Sequence, residues 1–547
     1  MSTGGRIFDE LPPSNLDWAG SKIYFGCSQD SRFVGRIGVA GRNYHGGRQG
    51  GRGGGGGELI FPGSLESPAA NIILAKVSDP EKAACEAKQA ALKMLKSRMD
   101  EVTSRMDELG SEVNRPLAEA QIEEFLEWFA AWTPLAHDSS YEEARRRCAE
   151  LMAMRKATRS FGPSPSIAGL PKSPLDPGFD TVLKTDYSQK VLLDDARLNK
   201  RETLDAVSLI KRFAKFKRSS FPSTRTIAAY HLRDPEDWDQ LHRSLRKTHQ
   251  DAIDIGEVLV SPDRELLESL SPEQRALRQS LVQGRRLRSY YAILRADGDN
   301  MGSLLSSIRS ESLHREFSQV LGRDFALQVR GIVEQHHGVL VYSGGDDVLA
   351  LLPVDTAINC GYELRALFQK TVEQFVRKLG IADIRQGLTV GIAVVHFYES
   401  LQAGLDFAHN LETSGKRVPG KDALAIGVRT RSGGDTTFAR RWANHPEQDI
   451  RNVLVAFDEE QMPRGFPYDM RRLSEEAATL TRALSGEQVA DFIAREFNRI
   501  WKRKQPAKRK MDLSLPSWVR DAHTLKEFAA ILVISHFLTR EGTGEEA

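Results

Sequence analysis

Cysteine is scarce in this sequence, which has four cysteines among 547 residues and no CxxC pair. Scattered cysteines argue against a disulfide framework and a zinc knuckle, and they favour a reducing compartment. Apolar runs are short as well: none approaches the ~20 residues of a membrane-spanning helix, and the N-terminus lacks a basic-then-apolar signal pattern. The sequence therefore predicts a soluble, cytoplasmic protein without a membrane partner.

An excess of charge of one sign is also missing. The 76 basic and 74 acidic side chains leave a formal net charge of +2, so any contact with nucleic acid has to come from a local basic patch. The candidate RNA-contacting residues form one basic cluster: Lys211, Arg212, Lys215, Lys217 and Arg218. Such a cluster is most often a solvated face, and RNA contact is the alternative.

The chain is too long for one ordinary core, and its composition divides it into four parts. Residues 1–160 contain short strand-like pieces and a glycine-rich insert at about 35–57, which we expect to be mobile. A Pro/Gly/Ser-rich break follows, and residues 161–285 are predicted to be mainly helical. Residues 286–432 alternate strands and helices, whereas residues 433–547 are predicted to be helical.

Two tryptophans in the first part invite a functional interpretation. The pattern predicts a helix over residues 117–132, which would place Trp128 and Trp132 one turn apart. Such a pair is more often a packing feature than a base-stacking platform. We therefore expect both tryptophans to pack against a core.

The third part has the order β-α-β-β-α-β, which is that of a ferredoxin-like split βαβ unit. A strand over residues 289–296 precedes a helical region at 301–336, and two apolar strands then flank Gly-Gly-Asp-Asp at 344–347, a strong hairpin signal. Gly433-Gly434-Asp435 lacks both a second aspartate and a following apolar strand, so we interpret it as a loop. Three residues of the helical region recur every four positions and are expected in the core: Phe317, Leu321 and Phe325. The predicted fold class is α+β.

Three aspartates in this part predict a catalytic site. Asp297 follows the first strand, and Asp346 and Asp347 lie in the hairpin turn. We expect the first strand and the hairpin to be parallel neighbours joined by a crossover, which brings together carboxylates ~50 residues apart. Packed carboxylates repel one another unless a cation lies between them, and Mg²⁺ or Mn²⁺ suits such hard oxygen ligands. Two such ions activate an attacking hydroxyl and stabilise leaving pyrophosphate, so the pattern predicts two-metal nucleotidyl transfer.

Residues around the aspartates predict a nucleotide site. The paired glycines lack a Cβ, so they permit positive φ and let a bulky substrate approach the backbone. The turn after the first strand exposes N–H groups where a helix starts, which suits a triphosphate, and two later lysines are within reach of the same phosphates. These candidates are Gly344, Gly345, Asn300, Met301, Gly302, Ser303, Lys416 and Lys421.

These motifs resemble the large, polymerase-like subunit of type III CRISPR effector complexes, in particular its Cmr (III-B) branch. The stretches RSYYAILRADGDNMGSLL, VYSGGDDVLALLPV and LTVGIAVVHFYESLQAGLDFAHNLETSGKRVPGKDALAI are similar to the second palm domain of that family. LDWAGSK, ELIFPGSL and NIILAKV resemble pieces of its first palm domain, and the resemblance extends over about residues 16–434. It implies a multidomain protein with two ferredoxin-like palm domains, a helical linking domain and a helical C-terminal domain.

The resemblance also implies an activity. Such subunits join ATP molecules through 3′–5′ bonds into cyclic oligoadenylate when their complex binds target RNA, with other Cmr subunits and a guide crRNA as partners. By position, Asp297, Asp346 and Asp347 would hold two Mg²⁺ or Mn²⁺ ions and act in catalysis. No separate general base is evident, and Asp347 and a metal-bound hydroxide both stay open. Two alternatives also stay open: an enzyme that joins ATP to another adenosine-containing molecule, and a structural subunit without turnover.

Two features of many relatives are not matched. Nothing ahead of Leu16 is long enough for an N-terminal HD nuclease domain, and His137-Asp138 is expected in a turn or helix N-cap. HD-type DNase activity is therefore not expected. The stretch at residues 170–176 has no cysteine or histidine where relatives place a zinc site, so no zinc is expected.

Overall fold

The computed structural model divides the chain into two compact units, each described by itself. The first comprises Met1–Tyr187, Thr203–Ala214 and Ile308–Glu316, and the remaining residues form the second. The residues that the structure describes are 22–28, 57–63, 72–108, 112–135, 140–158, 164–184, 191–193, 196–198, 202–214, 221–249, 254–260, 262–285, 287–380, 386–431, 434–504 and 513–540.

The first unit pairs a four-stranded antiparallel sheet with helices. Its elements are β1 (Lys22–Ser28), β2 (Glu58–Phe61), β3 (Ile72–Val77), α1 (Pro80–Glu108), α2 (Arg115–Phe125), β4 (Trp128–Pro134), α3 (Tyr141–Ala157) and α4 (Ala206–Phe213). The sheet order is β2-β3-β1-β4, and β1 is antiparallel to both of its neighbours. Read from the β4 edge, with the four strands numbered in chain order, the sheet order is 4-1-3-2.

Trp128 and Trp132 lie on a strand, not on the predicted helix. Helix α2 ends at Phe125, and β4 then pairs with β1. Alternate residues of a strand face the same side, so both tryptophans pack against one cluster that includes Ala75 and Val77. The packing prediction is confirmed, but the helix was wrong because a spacing of four places two side chains on one face of either element.

The second unit contains the predicted alternating region and the C-terminal helices. In chain order its elements are β5 (Val191–Leu193), β6 (Ala196–Leu198), α5 (Thr224–Ala229), α6 (Pro235–His249), α7 (Ile255–Val260), α8 (Arg264–Ser269), α9 (Pro272–Val282), β7 (Tyr290–Gly298), α10 (Met301–Ser307), α11 (Glu311–Val320), α12 (Leu327–Gln335), β8 (Val339–Gly344), β9 (Asp347–Pro353), α13 (Val354–Leu379), β10 (Leu388–His396), α14 (Leu401–Arg417), β11 (Ala423–Arg429), β12 (Asp435–Arg441), α15 (Pro446–Asp458), α16 (Phe466–Leu480), α17 (Gly486–Lys504) and α18 (Ala522–Arg540). Residues 311–316 of α11 belong to the first unit.

A six-stranded sheet organises the second unit, in the order β12-β11-β10-β7-β9-β8. The four strands β7 to β10 repeat the 4-1-3-2 order of the first unit, so the predicted ferredoxin-like α+β fold is confirmed. One detail was wrong: the hairpin neighbour of β7 is β9, which is antiparallel to it, while the parallel strand β8 lies one position further out. The prediction that the hairpin turn meets the end of β7 still holds, because β9 starts where β7 ends.

The helical region after β7 is interrupted twice. Helix α10 ends at Ser307, and a π-helical turn, Leu321–Ala326, separates α11 from α12. The hydroxyl of Ser343, one residue before the paired glycines, donates a 3.0 Å hydrogen bond to the carbonyl of Ala326 in this turn. The predicted core residues of this region are buried, at 1%, 4% and 0% exposure respectively: Phe317, Leu321 and Phe325.

The C-terminal part begins with a strand rather than a helix. Strand β12 pairs with β11 and extends the sheet on its far edge, and helices α15 to α18 follow. Its sequence, DTTFARR, is polar and shows only two buried positions, so apolar alternation did not reveal it. Among the described residues, no helix has both the length and the apolar character needed to cross a membrane.

Candidate active site

The tight turn of the Gly-Gly-Asp-Asp hairpin is formed by two residues. Gly344 pairs with Asp347, so Gly345 and Asp346 connect β8 to β9. Gly345 has φ +65°, a left-handed conformation that glycine adopts without strain. Positive φ at the first of two central residues is the pattern of a type II′ hairpin turn, whose twist matches the flanking strands.

The end of β7 brings Asp297 to this turn. Ala296 pairs with Val348, so one step further along both strands places Asp297 beside Asp347. The next residue, Gly298, lies against Asp346: a Cβ added to it would be 2.9 Å from Asp346 Oδ2. The three predicted aspartates are therefore neighbours, as the topology required.

Electrostatic repulsion within this group is visible in its pKa values. Burial, followed by the charges of Asp347 and Asp297, raises the pKa of Asp346 to about 7. Burial, followed by the charge of Asp297, raises the pKa of Asp347 to about 6. Partly buried carboxylates that resist ionisation in this way attract a cation.

Lys416 supplies one positive charge from the last turn of α14. Its ammonium group contacts Oδ2 of Asp297 and lies 3.7 Å from Oε1 of Glu412. Asp297 therefore has a protein cation as its partner. Although burial opposes the effect, the contact with Asp297 raises the pKa of Lys416.

Glu412 is a site residue that sequence reasoning missed. Its side chain is 5% exposed and accepts a hydrogen bond from Arg295, two residues before Asp297 on β7. A buried carboxylate needs such partners. The i,i+4 spacing of Glu412 and Lys416 on a helix was the available signal, because residues so spaced lie on one face.

The predicted triphosphate turn starts α10. Asn300 has φ +58°, and its carbonyl accepts the first helical hydrogen bond, from the N–H of Leu304 at 3.0 Å. The Met301 side chain is buried, whereas Gly302 and Ser303 are exposed. Lys421 donates to Oδ1 of Asn300 at 3.0 Å, so the second predicted lysine also reaches the site.

Gly344 has a different neighbour from the one expected. A Cβ on this residue would collide with the phenol group of Tyr342, which folds back over it. Burial, followed by the charges of Asp347 and Asp346, raises the pKa of Tyr342 to about 12, so the phenol is neutral. Within the protein, the space beside Gly344 is filled by this phenol, whereas the space beside Gly345 is open.

The donor set suits a divalent cation in its chemistry. Asp346 and Asp347 present hard oxygen ligands whose mutual repulsion a cation would relieve. Within the part of the chain that the structure describes, no three His, Cys, Asp or Glu side chains are yet arranged as one ligand set. The contact between Lys416 and Asp297 is one reason why these side chains are not arranged as a ligand set, because Lys416 occupies an oxygen that a metal ion would bind.

The predicted basic cluster is only partly described. Lys211 and Arg212 lie on α4, whose opposite face buries Leu209, Ile210 and Phe213. The other three residues of the cluster, Lys215, Lys217 and Arg218, lie outside the described residues, as do His137-Asp138 and residues 35–56 of the glycine-rich insert. The Lys211 ammonium lies 5.6 Å from the ring centre of Phe125.

The fold and the site together define a palm-domain protein, with a ferredoxin-like sheet that carries an acidic hairpin at one end. Residues 290–425 match the family described as Cas10/Cmr2, second palm domain. The chain therefore carries the second palm domain of the Cas10/Cmr2 family, and the family resemblance seen in the sequence is confirmed.

Individual relatives agree with this assignment. The CRISPR system Cmr subunit Cmr2 of Pyrococcus furiosus is 37% identical over 172 residues, which are 26% of this chain and 19% of that protein. The chain thus matches about a fifth of the length of this curated relative. A chain of the type III-B Cmr-beta structure in the apo state superimposes with a TM-score of 0.59 at 12% identity, covering 95% of this chain and 82% of that one. A chain of the Cmr-beta structure bound to cognate target RNA gives the same TM-score, covering 94% and 83%. At 12% identity these two structures support the fold alone.

Proposed function

We propose that this chain is the nucleotidyltransferase subunit of a type III-B effector complex and converts ATP to cyclic oligoadenylate when the complex binds target RNA. The observation that carries the proposal is the meeting of Asp346 and Asp347 with Asp297 at one end of the palm sheet. An acidic site beside two lysines suits a substrate that arrives as a metal-bound triphosphate.

Each group in the site has a role in this proposal. Asp297, Asp346 and Asp347 would hold two Mg²⁺ or Mn²⁺ ions, which neutralise phosphate charge and activate the attacking 3′-hydroxyl. Lys416 and Lys421 bind and orient the triphosphate, aided by the backbone of residues 300–303. Gly345 leaves open space where the bulky nucleotide approaches.

Partners are proposed from the relatives. The Pyrococcus furiosus relative is named a subunit of the Cmr system, and a Cmr-beta structure of the same fold is described as bound to cognate target RNA. We propose other Cmr subunits, a guide crRNA and target RNA as partners of this chain. The basic residues of α4 are one candidate RNA contact.

The raised pKa values of the aspartates support an active site over an idle one. A structural subunit without turnover would not need a group of carboxylates in which burial, followed by neighbouring carboxylate charge, raises the pKa of Asp346 and Asp347, because burying charge without a partner destabilises the fold. An enzyme that joins ATP to another adenosine-containing molecule would use the same residues. Product analysis separates it from oligoadenylate synthesis.

The test is to incubate the assembled complex with guide, target RNA, Mg²⁺ or Mn²⁺ and ATP, and to identify products by mass spectrometry. We expect cyclic products with 3′–5′ bonds only when target RNA is present. Mixed adenosine conjugates would favour the alternative substrate. Equal amounts of cyclic product from wild type and from the Asp346→Asn/Asp347→Asn variant would contradict the proposal.

Asp435 offers a matched control. It follows a Gly-Gly pair like Asp346, but it starts β12 and pairs with Arg429, which ends β11. Strand β11 is parallel to β10, whose first residues pair with the end of β7, so Arg429 and Asp435 lie at the opposite end of the sheet from Asp297. Asp435→Asn should leave synthesis unchanged.

A further inference from the structure

A second aspartate of the Asp-Gly-Asp-Asn turn is buried behind the proposed catalytic group. Asp299 is 2% exposed, and the hydroxyl of Thr389 donates to its two carboxylate oxygens at 2.9 Å each. The backbone N–H of Asp422 donates to Oδ2 of Asp299 at 2.8 Å. The N–H of Asp299 itself bonds to the carbonyl of Gly387 at 2.8 Å. With its oxygens bonded and buried, this carboxylate is not positioned to meet substrate.

The segment that Asp299 holds is conformationally strained. Lys421 and Asp422 have φ +50° and +49°, and Asn300 on the facing turn has φ +58°. Left-handed backbone is unfavourable for residues with a Cβ, and it persists only where surrounding contacts enforce it. Three such residues in two facing segments indicate a clamp whose geometry is specified by side-chain contacts.

Two further contacts complete the clamp. Arg365 of α13 donates to both carboxylate oxygens of Asp422, at 2.7 and 2.5 Å. Lys421, beside Asp422, donates to Oδ1 of Asn300. The loop that carries Lys421 is therefore tied to the turn that carries Asn300 at two points, by the hydrogen bonds Asp422–Asp299 and Lys421–Asn300, and it is tied to α13 through Arg365.

We propose that Asp299 is a positioning residue for the nucleotide triphosphate. Its buried carboxylate holds the Lys421-Asp422 loop against the turn at residues 297–300. The Lys421 ammonium therefore faces the phosphates, and no loop has to become ordered when nucleotide binds. Preorganisation of this kind acts on nucleotide affinity more than on the chemical step. This inference rests on the proposed function, because it assigns the lysines to a triphosphate.

The geometry distinguishes between substitutions of Asp299. Asp299→Ala removes both acceptors and with them the hydrogen bond that ties Asp422 to the turn, so it loosens the loop. Asp299→Asn can still accept from the Asp422 N–H with its carbonyl oxygen and donate to the Thr389 hydroxyl with its amide, so it keeps the clamp. Thr389→Val removes one donor only, and Thr437→Val on exposed β12 is the matched control.

The experiment measures ATP affinity and turnover separately. A fluorescent ATP analogue is titrated with Mg²⁺ into the full chain, and KM and kcat for ATP are measured in the assembled complex. We expect Asp299→Ala to raise Kd and KM at least tenfold with kcat changed less than threefold. Thr389→Val should raise both about threefold, while Asp299→Asn and Thr437→Val stay within twofold of wild type.

Several outcomes would overturn the inference. One is an Asp299→Ala variant that melts earlier but binds the analogue normally, and another is loss of kcat at unchanged KM. If Asp299→Ala fails to fold, Thr389→Val decides by the same readouts, and normal affinity in that variant contradicts the clamp. If the wild type binds ATP but makes no oligoadenylate, the proposed function is wrong, and the affinities of the variants still test the role of Asp299. If the wild type binds no ATP, both the proposed function and the role of Asp299 are wrong.

Discussion

The ammonium group of Lys416 contacts Oδ2 of Asp297, a residue 119 positions earlier in the chain. This ion pair occupies an oxygen that a metal ion would bind in the proposed reaction. We expect a metal ion that binds this oxygen to displace Lys416, which then becomes available to the phosphates of an incoming nucleotide. We therefore expect metal binding and triphosphate binding to be coupled through one side chain.

Lys416→Met tests this coupling. We expect the variant to lose about 100-fold in kcat/KM for ATP, because a charge that offsets the triphosphate is gone from a partly buried site. The measurement is the initial rate of product formation by the assembled complex over a range of ATP concentrations. Arg417→Met, which removes the adjacent exposed cation of α14, is the control and should stay within twofold of wild type. Equal losses in both variants would contradict a specific role for Lys416.

The stability of the metal-free chain should depend on the raised pKa of Asp346. Because its folded pKa of about 7 lies above its ordinary value, the stabilising proton is fully bound below pH ~4 and is lost as the pH rises through 7. The side chain of Asp346→Asn has no carboxyl proton to lose. We therefore expect this substitution to raise the free energy of unfolding by about 2 kcal/mol at pH 8, after allowance for partial exposure.

Urea unfolding in EDTA at pH 4 and pH 8 measures this difference. The stability gap between Asp346→Asn and wild type should be open at pH 8 and closed at pH 4. A gap of equal size at both values would mean that the substitution acts through packing and not through charge.

Metal affinity should rise with pH over the range in which the two aspartates ionise. Asp346 and Asp347 have raised pKa values of about 7 and about 6, so at pH 6 a metal ion must displace protons that are largely absent at pH 8. We expect Mn²⁺ to bind at least tenfold more tightly at pH 8 than at pH 6. Calorimetry in two buffers of different ionisation heat reports proton release, which should be present at pH 6 and small at pH 8. Affinity that does not change with pH would place the metal elsewhere.

Gly344→Ala should reveal why this position is glycine. The structure puts the Tyr342 phenol where the new Cβ would lie, so we expect a destabilisation of about 1–3 kcal/mol from overpacking. In the Gly344→Ala/Tyr342→Ala variant the obstacle is gone, and the additional penalty of the glycine substitution should largely disappear. A double-mutant cycle on unfolding free energies measures this coupling. If the two effects simply add, and activity is lost at Gly344→Ala regardless, clearance for the nucleotide is the reason, as the sequence had suggested.

The meeting of the three aspartates was predictable because strand order alone determines it. Asp297 and Asp347 end and begin adjacent strands, and no side-chain detail enters that argument. Lys416 was predicted to reach phosphates, but its contact with Asp297 depends on how α14 lies across the sheet, which local sequence does not specify. The contacts of the buried residues Glu412 and Asp299 were not predicted for the same reason.

Errors of secondary structure arose where pairing with another strand decides the conformation. Trp128 and Trp132 satisfy helical and strand periodicity equally, and only pairing with β1 decides between them. Strand β12 is a polar edge strand whose neighbour β11 supplies the hydrogen bonds that define it. In both cases pairing with another strand settles the conformation, so the periodicity of the segment itself was insufficient.

The 4-1-3-2 strand order occurs twice in this chain, in β1 to β4 and again in β7 to β10. The two hairpin connections differ in chemistry: the one between β8 and β9 carries Asp346 and Asp347, whereas residues 62–71 between β2 and β3 read PGSLESPAAN. The chain thus presents one strand order in two chemical forms, one with paired aspartates at its hairpin and one with no aspartate between the corresponding strands.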